Sequence, residues 1–123
     1  AHHPDEITAT IKLCRQLRHG KLIVIFQPHT FTRTQALYSD FLKCFEGADE
    51  VWLLPIYPAR EKPIKGISSY RLAQDLKKSK KNVKYFNNFD KCYDNIKQNK
   101  EKNVIFAILG AGDIEKLAYK FKK

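Results

Sequence analysis

Apolar residues follow two different patterns along the chain. In four short runs nearly every position is apolar or aromatic, which predicts buried strands; these runs lie at residues 21–26, 50–54, 83–86 and 103–109. In five longer segments the apolar residues recur at helical spacing; these lie close to residues 4–18, 33–45, 68–78, 89–98 and 113–121. Helices and strands therefore alternate, beginning and ending with a helix.

This alternation predicts a Rossmann-like α/β fold, a parallel sheet with helices on both faces in a single domain. A length of 123 residues suits one such domain. Right-handed crossovers place the loops that follow the strands on one edge of the sheet. We therefore expect the loops at 27–34, 55–68 and 110–112 to share that edge.

The loop after the first strand carries the candidate chemistry. Just before a helix it places an imidazole, a guanidinium and three hydroxyls, those of His29, Arg33, Thr30, Thr32 and Thr34. In open α/β sheets ligands bind at such a position. Arg33 offers a planar fork suited to a carboxylate or phosphate, and His29 could donate to the same anion. The residues alone leave an equal alternative, in which Arg33 pairs with a nearby acid and His29 hydrogen-bonds the loop.

Charge and cysteine content narrow the class of protein. The formal charge is +10, but only five of the 23 basic residues are Arg, and the Lys are dispersed, which is typical of a solvated surface rather than of a nucleic-acid interface. The three cysteines, Cys14, Cys44 and Cys92, form no Cys-x-x-Cys pair and fall on apolar sides of predicted helices, so we expect buried free thiols. No apolar run approaches the ~20 residues that span a bilayer. We expect a soluble cytoplasmic domain.

Several nucleotide and metal motifs are incomplete in these residues. Gly110, Ala111 and Gly112 form a glycine turn before a predicted helix, which can cradle an anion but is not a dinucleotide fingerprint. The chain contains no Gly-x-x-x-x-Gly-Lys-Ser/Thr loop, so it does not by itself hold a triphosphate in that way. His2 and His3 could be metal ligands, a tag remnant or a capping loop; no Cys or third His lies at zinc spacing, and no metal site is expected.

Four separate motifs, in order along essentially the whole chain, resemble the C-terminal domain of the Mur ligases. They are His2-His3-Pro4-x-Glu6-Ile7-x-Ala9-Thr10, Phe26-Gln27-Pro28-His29 with Thr32-Arg33-Thr34, Ile56-Tyr57-x-Ala59-Arg60-Glu61, and Gly110-Ala111-Gly112-Asp113-Ile114. The resemblance is greatest to the members that join L-alanine to UDP-N-acetylmuramate in peptidoglycan biosynthesis. Many members carry a second arginine where this chain has Thr30.

The resemblance implies a three-domain, ATP-dependent carboxylate-amine ligase. ATP and Mg²⁺ would activate the muramate carboxylate as an acyl phosphate, which the amino group of L-alanine then attacks. Residues 1–123 would be the amino-acid-binding, cleft-closing domain, and its partners would be an N-terminal UDP-sugar domain and a central ATPase domain that these residues do not include. We expect neither nucleic acid nor membrane as a partner, and no ligase activity from residues 1–123 alone.

The resemblance also implies roles for individual residues. Arg33 would bind the carboxylate of L-alanine, with His29, Thr30 and Thr34 beside it. The nucleotide cleft would be lined by His2, His3, Gly110, Ala111 and Gly112. No catalytic or metal-binding residue is expected on this domain alone.

Two other interpretations stay open at this point. The first is the related ligase that recycles peptides by attaching a whole peptide to UDP-N-acetylmuramate. The second is a stand-alone module that binds an anionic nucleotide or nucleic acid, in which case binding would weaken steeply with salt.

Overall fold

A four-stranded parallel sheet forms the centre of the computed structural model, which describes residues 3–17, 20–79, 82–99 and 104–110. The strand order is β3-β2-β1-β4, and all neighbouring strands are parallel. The strands are β1 (Lys21–Gln27), β2 (Glu50–Leu53), β3 (Val83–Tyr85) and β4 (Val104–Gly110). The predicted α/β fold is confirmed.

One described helix precedes β1, and the others follow β1, β2 and β3. They are α1 (Pro4–Leu17), α2 (Phe31–Ala36), α3 (Tyr38–Phe41), α4 (Ser69–Leu76) and α5 (Phe89–Gln98). Side-chain caps begin two of these helices: Ser68 Oγ accepts from Arg71 N at 3.0 Å, and Asn88 Oδ1 accepts from Lys91 N at 2.8 Å. The predicted helix at 113–121 lies outside the described residues.

The two faces of the sheet carry separate apolar clusters, as expected for a sheet covered on both sides. Successive side chains of a strand point to opposite faces. Leu22, Val24 and Phe26 of β1 accordingly belong to a cluster that includes buried residues of α1 and α4. Ile23 and Ile25 belong to the other cluster, which includes buried residues of α5.

The segment at 33–45 departs from its prediction as one continuous helix. It begins two residues earlier, at Phe31, and is interrupted at Leu37, which has φ −108° and ψ 15°. Beyond the interruption the rings of Phe41 and Phe45 lie 5.3 and 5.6 Å from that of Phe26. Packing on Phe26 therefore preserves the apolar stripe although the helix itself does not continue, as is common where tertiary contacts outweigh helix propensity.

The cysteines are free thiols, as expected. Cys44 and Cys92 are buried and Cys14 is half-buried. Burial raises the pKa of the Cys44 and Cys92 thiols to about 12. Both are therefore protonated at neutral pH and behave as small apolar side chains. Cys44 lies in the turns after α3 rather than in a helix.

One hydrogen bond connects α3 to α4 and makes stability depend on pH. The Tyr38 hydroxyl donates to Asp75 Oδ2, and this bond is the main cause that holds the pKa of the Asp75 carboxyl below its ordinary value of 3.8; Lys78 and Arg71 lower it further. Because the folded pKa is the lower one, the stabilisation is present above pH 3.8 and is lost as the pH falls through the folded value.

Replacing Tyr38 with phenylalanine is therefore expected to lower the free energy of unfolding by about 1 kcal/mol at pH 7 and by less at about pH 3. Urea unfolding at the two pH values measures the difference. Tyr70→Phe on α4, at a tyrosine that is 56% exposed, is the control and should show the same small change at both pH values. An equal cost for Tyr38→Phe at both pH values would contradict this assignment.

Candidate functional site at the carboxyl edge of the sheet

The carboxyl ends of three strands meet at one edge of the sheet. Gln27 at the end of β1 lies opposite Gly110 at the end of β4, and Phe26 lies opposite Leu53 at the end of β2. The loops that follow β1 and β2 therefore begin side by side, as predicted. Of the third predicted loop only Gly110 is described, with φ 136°; Ala111 and Gly112 lie outside the described residues.

Main-chain hydrogen bonds continue the pairing of β1 and β2 into these loops. Tyr57 N donates to Pro28 O at 2.9 Å, and Thr30 N donates to Tyr57 O at 2.8 Å. His29 lies between these bonds as an isolated parallel bridge to Tyr57. The His29 and Tyr57 rings stack at 5.6 Å with an interplanar angle of 23°. His29 is thus half-buried and held in one orientation by the neighbouring loop.

Thr30 and Thr34 shape the start of α2. Thr30 has φ 63° and ψ 150°, and its Oγ1 accepts from Arg33 N at 3.2 Å. Thr34 Oγ1 donates to Thr30 O at 2.7 Å, and the Thr34 side chain is fully buried. Both hydroxyls are therefore engaged within the loop, and a direct contact of either with a ligand stays a prediction.

Glu61 is the residue of this site that the sequence-based prediction missed. Its Oε1 accepts from Phe31 N at 2.8 Å and from Thr32 N at 3.0 Å, and its Oε2 accepts from Thr32 Oγ1 at 2.5 Å. The Thr32 hydroxyl is the main cause that lowers the pKa of the Glu61 carboxyl, and the two N–H groups and the charge of His29 add to it. The carboxylate is therefore ionised at neutral pH.

Arg33 is placed in the first turn of α2 with its side chain exposed. Within residues 3–17, 20–79, 82–99 and 104–110, its guanidinium makes no ion pair and no side-chain hydrogen bond. The nearby acid, Glu61, is instead bonded to the main chain of α2. Of the two roles left open for Arg33, this arrangement favours the one in which the fork is free to bind an anion.

These side chains surround one open cleft of about 620 Å³. Arg33 and His29 line it together with Glu61 and the apolar residues Ala36 and Leu37; the other lining residues are Thr30 and Thr32. A permanently charged guanidinium, an imidazole and a few methyl groups suit a small molecule that carries a carboxylate.

His3, predicted to line a nucleotide cleft, caps α1 in the structure. Its Nδ1 accepts from Asp5 N at 3.1 Å, and its own N–H donates to Glu6 Oε1 at 3.2 Å. The arrangement resembles a capping box with histidine in the position of serine or threonine, although the histidine accepts from the second helical residue rather than the third. His2 lies outside the described residues.

No group of three or more His, Cys, Asp or Glu side chains that could hold a metal ion occurs among the described residues. No described helix is long and apolar enough to cross a membrane.

Comparison with known proteins places these features in a family. The family described as "Mur ligase, glutamate ligase domain" matches residues 1–112. UDP-N-acetylmuramate--L-alanine ligase of Carboxydothermus hydrogenoformans is 38% identical over 98% of this chain, and that of Clostridium botulinum strain Hall is 42% identical over 95%. The chain spans about a quarter of the length of these relatives, 26% in both cases.

A solved structure has the same fold. It is a domain from a protein assigned as a UDP-N-acetylmuramate:L-alanyl-gamma-D-glutamyl-medo-diaminopimelate ligase from Haemophilus ducreyi, with a TM-score of 0.67 over 98% of this chain and 81% of that chain. The sequence identity is 19%, so this likeness supports the fold alone.

Proposed function

The chain belongs to the Mur ligase family, and from this premise we propose that it is the amino-acid-binding, cleft-closing domain of an ATP-dependent UDP-N-acetylmuramate:L-alanine ligase. The relatives that share 36–42% of its residues over nearly its whole length carry that name. On this proposal the chain acts in the cytoplasm, in the peptidoglycan biosynthesis that cell shape and division require.

The observation that carries the proposal is the exposed guanidinium of Arg33, which the described residues leave without an ion pair. Its fork matches the two oxygens of the L-alanine carboxylate, and hydrogen bonds between charged groups of this kind are short and directional. His29, stacked on Tyr57 at 5.6 Å, stands on the same cleft wall and can donate to that carboxylate. With its carboxylate bound at Arg33, L-alanine keeps its amino group free for the reaction.

Orientation is then the contribution of this domain to the reaction. The amino group must meet an activated muramate carboxyl group, and holding two reactants in a defined geometry removes much of the entropic cost of a bimolecular step. The proposed substrates are therefore L-alanine here and UDP-N-acetylmuramate and ATP on other parts of the enzyme. The nucleotide would lie near His2, His3, Gly110, Ala111 and Gly112.

The activating groups are proposed to be bound elsewhere in the enzyme. The described residues offer no cluster of metal ligands, so they do not fit Mg²⁺, and no step is assigned to it on this domain. ATP would supply the phosphoryl group that converts the muramate carboxylate into an acyl phosphate. ATP and Mg²⁺ are proposed to bind mainly to a central ATPase domain of the same polypeptide, and the UDP-sugar is proposed to bind to its N-terminal domain.

A substrate comparison tests this function against the peptide-recycling alternative. The full-length enzyme that carries this chain is expected to release phosphate from ATP in the presence of UDP-N-acetylmuramate and L-alanine. With the tripeptide L-alanyl-γ-D-glutamyl-meso-diaminopimelate in place of L-alanine, the release should be at least about 100-fold slower. The isolated 123-residue chain, assayed in parallel, should show no turnover. Faster reaction with the tripeptide, or turnover by the isolated chain, would contradict the proposal. If the isolated chain instead binds DNA with an affinity that falls steeply as the salt concentration rises, a nucleic-acid-binding module would be supported.

A further inference from the structure

We propose that Glu61 is a positioning residue, whose carboxylate ties the loop after β2 to the first turn of α2 and thereby holds Arg33 over the cleft. The inference rests on the function proposed above and adds a residue that contacts neither L-alanine nor the reacting atoms. It would make the loop after β2 part of amino-acid recognition.

Glu61 accepts two of the main-chain hydrogen bonds at the start of α2. The N–H groups in the first turn of a helix have no partner within the helix. Here the N–H groups of Phe31 and Thr32 both donate to Glu61 Oε1, at 2.8 and 3.0 Å, and the N–H of Arg33 donates to Thr30 Oγ1 at 3.2 Å. Glu61 therefore satisfies two of these three donors from a distant part of the chain.

Thr30, just before α2, has a strained backbone conformation. A φ of 63° with a ψ of 150° is a region that non-glycine residues rarely occupy, at a cost of about 1–3 kcal/mol. Such a conformation persists only where its surroundings fix it. Both groups that fix it from outside the loop come from the segment after β2: the Tyr57 carbonyl accepts from Thr30 N at 2.8 Å, and Glu61 binds the next two N–H groups.

The loop after β2 is itself built to present Glu61. Glu61 N donates to Pro58 O at 2.9 Å, which closes a four-residue turn. Its two central residues, Ala59 and Arg60, have φ values of 47° and 72° although neither is glycine. A tight turn with two left-handed residues fixes the direction in which the chain leaves it. The turn therefore points the Glu61 side chain at α2.

The negative charge of Glu61 also affects where an anionic ligand can bind in the cleft. The carboxylate occupies the first-turn N–H groups, so those donors are not available to an anionic ligand. A second anion placed beside Glu61 would also be repelled by it. The ligand carboxylate is thereby directed to the guanidinium of Arg33 on the same cleft.

Substitutions in the full-length enzyme test the proposal. Glu61→Ala is expected to raise the KM for L-alanine about 5- to 50-fold, while kcat and the KM for ATP change by less than about threefold. Thr32→Val, which removes only the hydroxyl bond to Oε2, should give a smaller rise, and Thr32→Ser should restore the original value. Glu46→Ala removes an exposed acid outside the cleft and should have no effect. Equal changes in both KM values, or no rescue by serine, would overturn the proposal.

A double variant shows whether Glu61 acts through Arg33. If it does, Arg33→Ala with Glu61→Ala should have the KM for L-alanine of Arg33→Ala alone, to within about twofold. Multiplication of the two single effects would overturn the proposal.

Amide hydrogen exchange separates a failure of this inference from a failure of the proposed function. In Glu61→Ala the amides of Phe31 and Thr32 should exchange at least about 10-fold faster than in the parent, whatever the substrate. Unchanged exchange would overturn the positioning role. An unchanged KM for L-alanine in Arg33→Ala would instead refute the proposed function.

Discussion

Replacing Arg33 with alanine in the full-length enzyme is expected to raise the KM for L-alanine about 10- to 100-fold. A hydrogen bond to a charged group contributes about 1.5–3 kcal/mol, and about 1.4 kcal/mol corresponds to a factor of ten in affinity. The KM values for ATP and for UDP-N-acetylmuramate should change by less than about threefold, because neither ligand is proposed to contact Arg33. Steady-state kinetics with each substrate varied in turn gives all three values.

Two further variants separate the shape of the guanidinium from its charge. Arg33→Lys keeps the charge but loses the planar fork, so its KM for L-alanine should lie between those of the parent and of Arg33→Ala. Lys43→Ala removes an exposed positive charge outside the cleft and should leave every KM unchanged. A KM for L-alanine that is unaffected by Arg33→Ala would refute the assignment.

Replacing Trp52 with alanine is expected to lower the free energy of unfolding by about 3–5 kcal/mol. Trp52 is fully buried in the centre of the sheet, with the rings of Phe86 and Phe106 at 5.4 and 5.8 Å. Its indole Nε1 donates to Glu50 Oε1 at 2.9 Å, and this oxygen belongs to a buried side chain. The variant therefore leaves a cavity and removes a donor from a buried carboxylate.

Urea unfolding followed by far-ultraviolet circular dichroism measures this loss, since Trp52 is the only tryptophan of the chain and its fluorescence disappears with it. Trp52→Phe keeps most of the apolar volume and should cost about half as much. Leu13→Ala, at a residue that is 53% exposed, should change stability by less than about 0.5 kcal/mol. A loss below about 1 kcal/mol for Trp52→Ala would show that the β2 core is not packed as described.

The architecture could be predicted because buried strands and amphipathic helices leave direct patterns in a sequence. All four strands lie within two residues of their predicted positions. The prediction of one continuous helix was wrong at Leu37, where the helix is interrupted. Periodicity records which residues are buried, and Phe41 and Phe45 are buried in either arrangement; it does not record the backbone conformation between them.

The candidate site was predictable only in part, for a related reason. The segment with His29 and Arg33 could be located because it follows a buried strand and collects polar side chains before a helix. Glu61 could not, because its partners Phe31 and Thr32 are 30 and 29 positions away in sequence and it binds their main chain, which no side-chain pattern reveals. The strained conformation of Thr30 could not be predicted either, because threonine is not a residue type that is typical of a positive φ.

Of the predicted nucleotide-facing residues, the structure describes His3 and Gly110. His3 acts as a helix cap, which agrees with the capping interpretation of this segment, and the spacing of His3 and Glu6 is consistent with that role. At the start of α1 the cap uses the Nδ1 atom of His3, and the side chain is 43% exposed. The capping role is therefore compatible with a nucleotide contact. The nucleotide role of His3 and Gly110 therefore stays a prediction, as does that of His2, Ala111 and Gly112 beyond the described residues.

The central claim is that Arg33 binds the carboxylate of the amino acid, and removing that carboxylate from the substrate tests it most directly. L-Alaninamide keeps the amino group and the side chain of L-alanine but lacks the two equivalent anionic oxygens. The measurement is the ratio of kcat/KM for L-alanine to kcat/KM for L-alaninamide, in the parent and in Arg33→Ala. We predict a ratio of about 100 or more in the parent and at least about 10-fold less in the variant, because the interaction is lost from either side. An equal ratio in both enzymes would contradict the account.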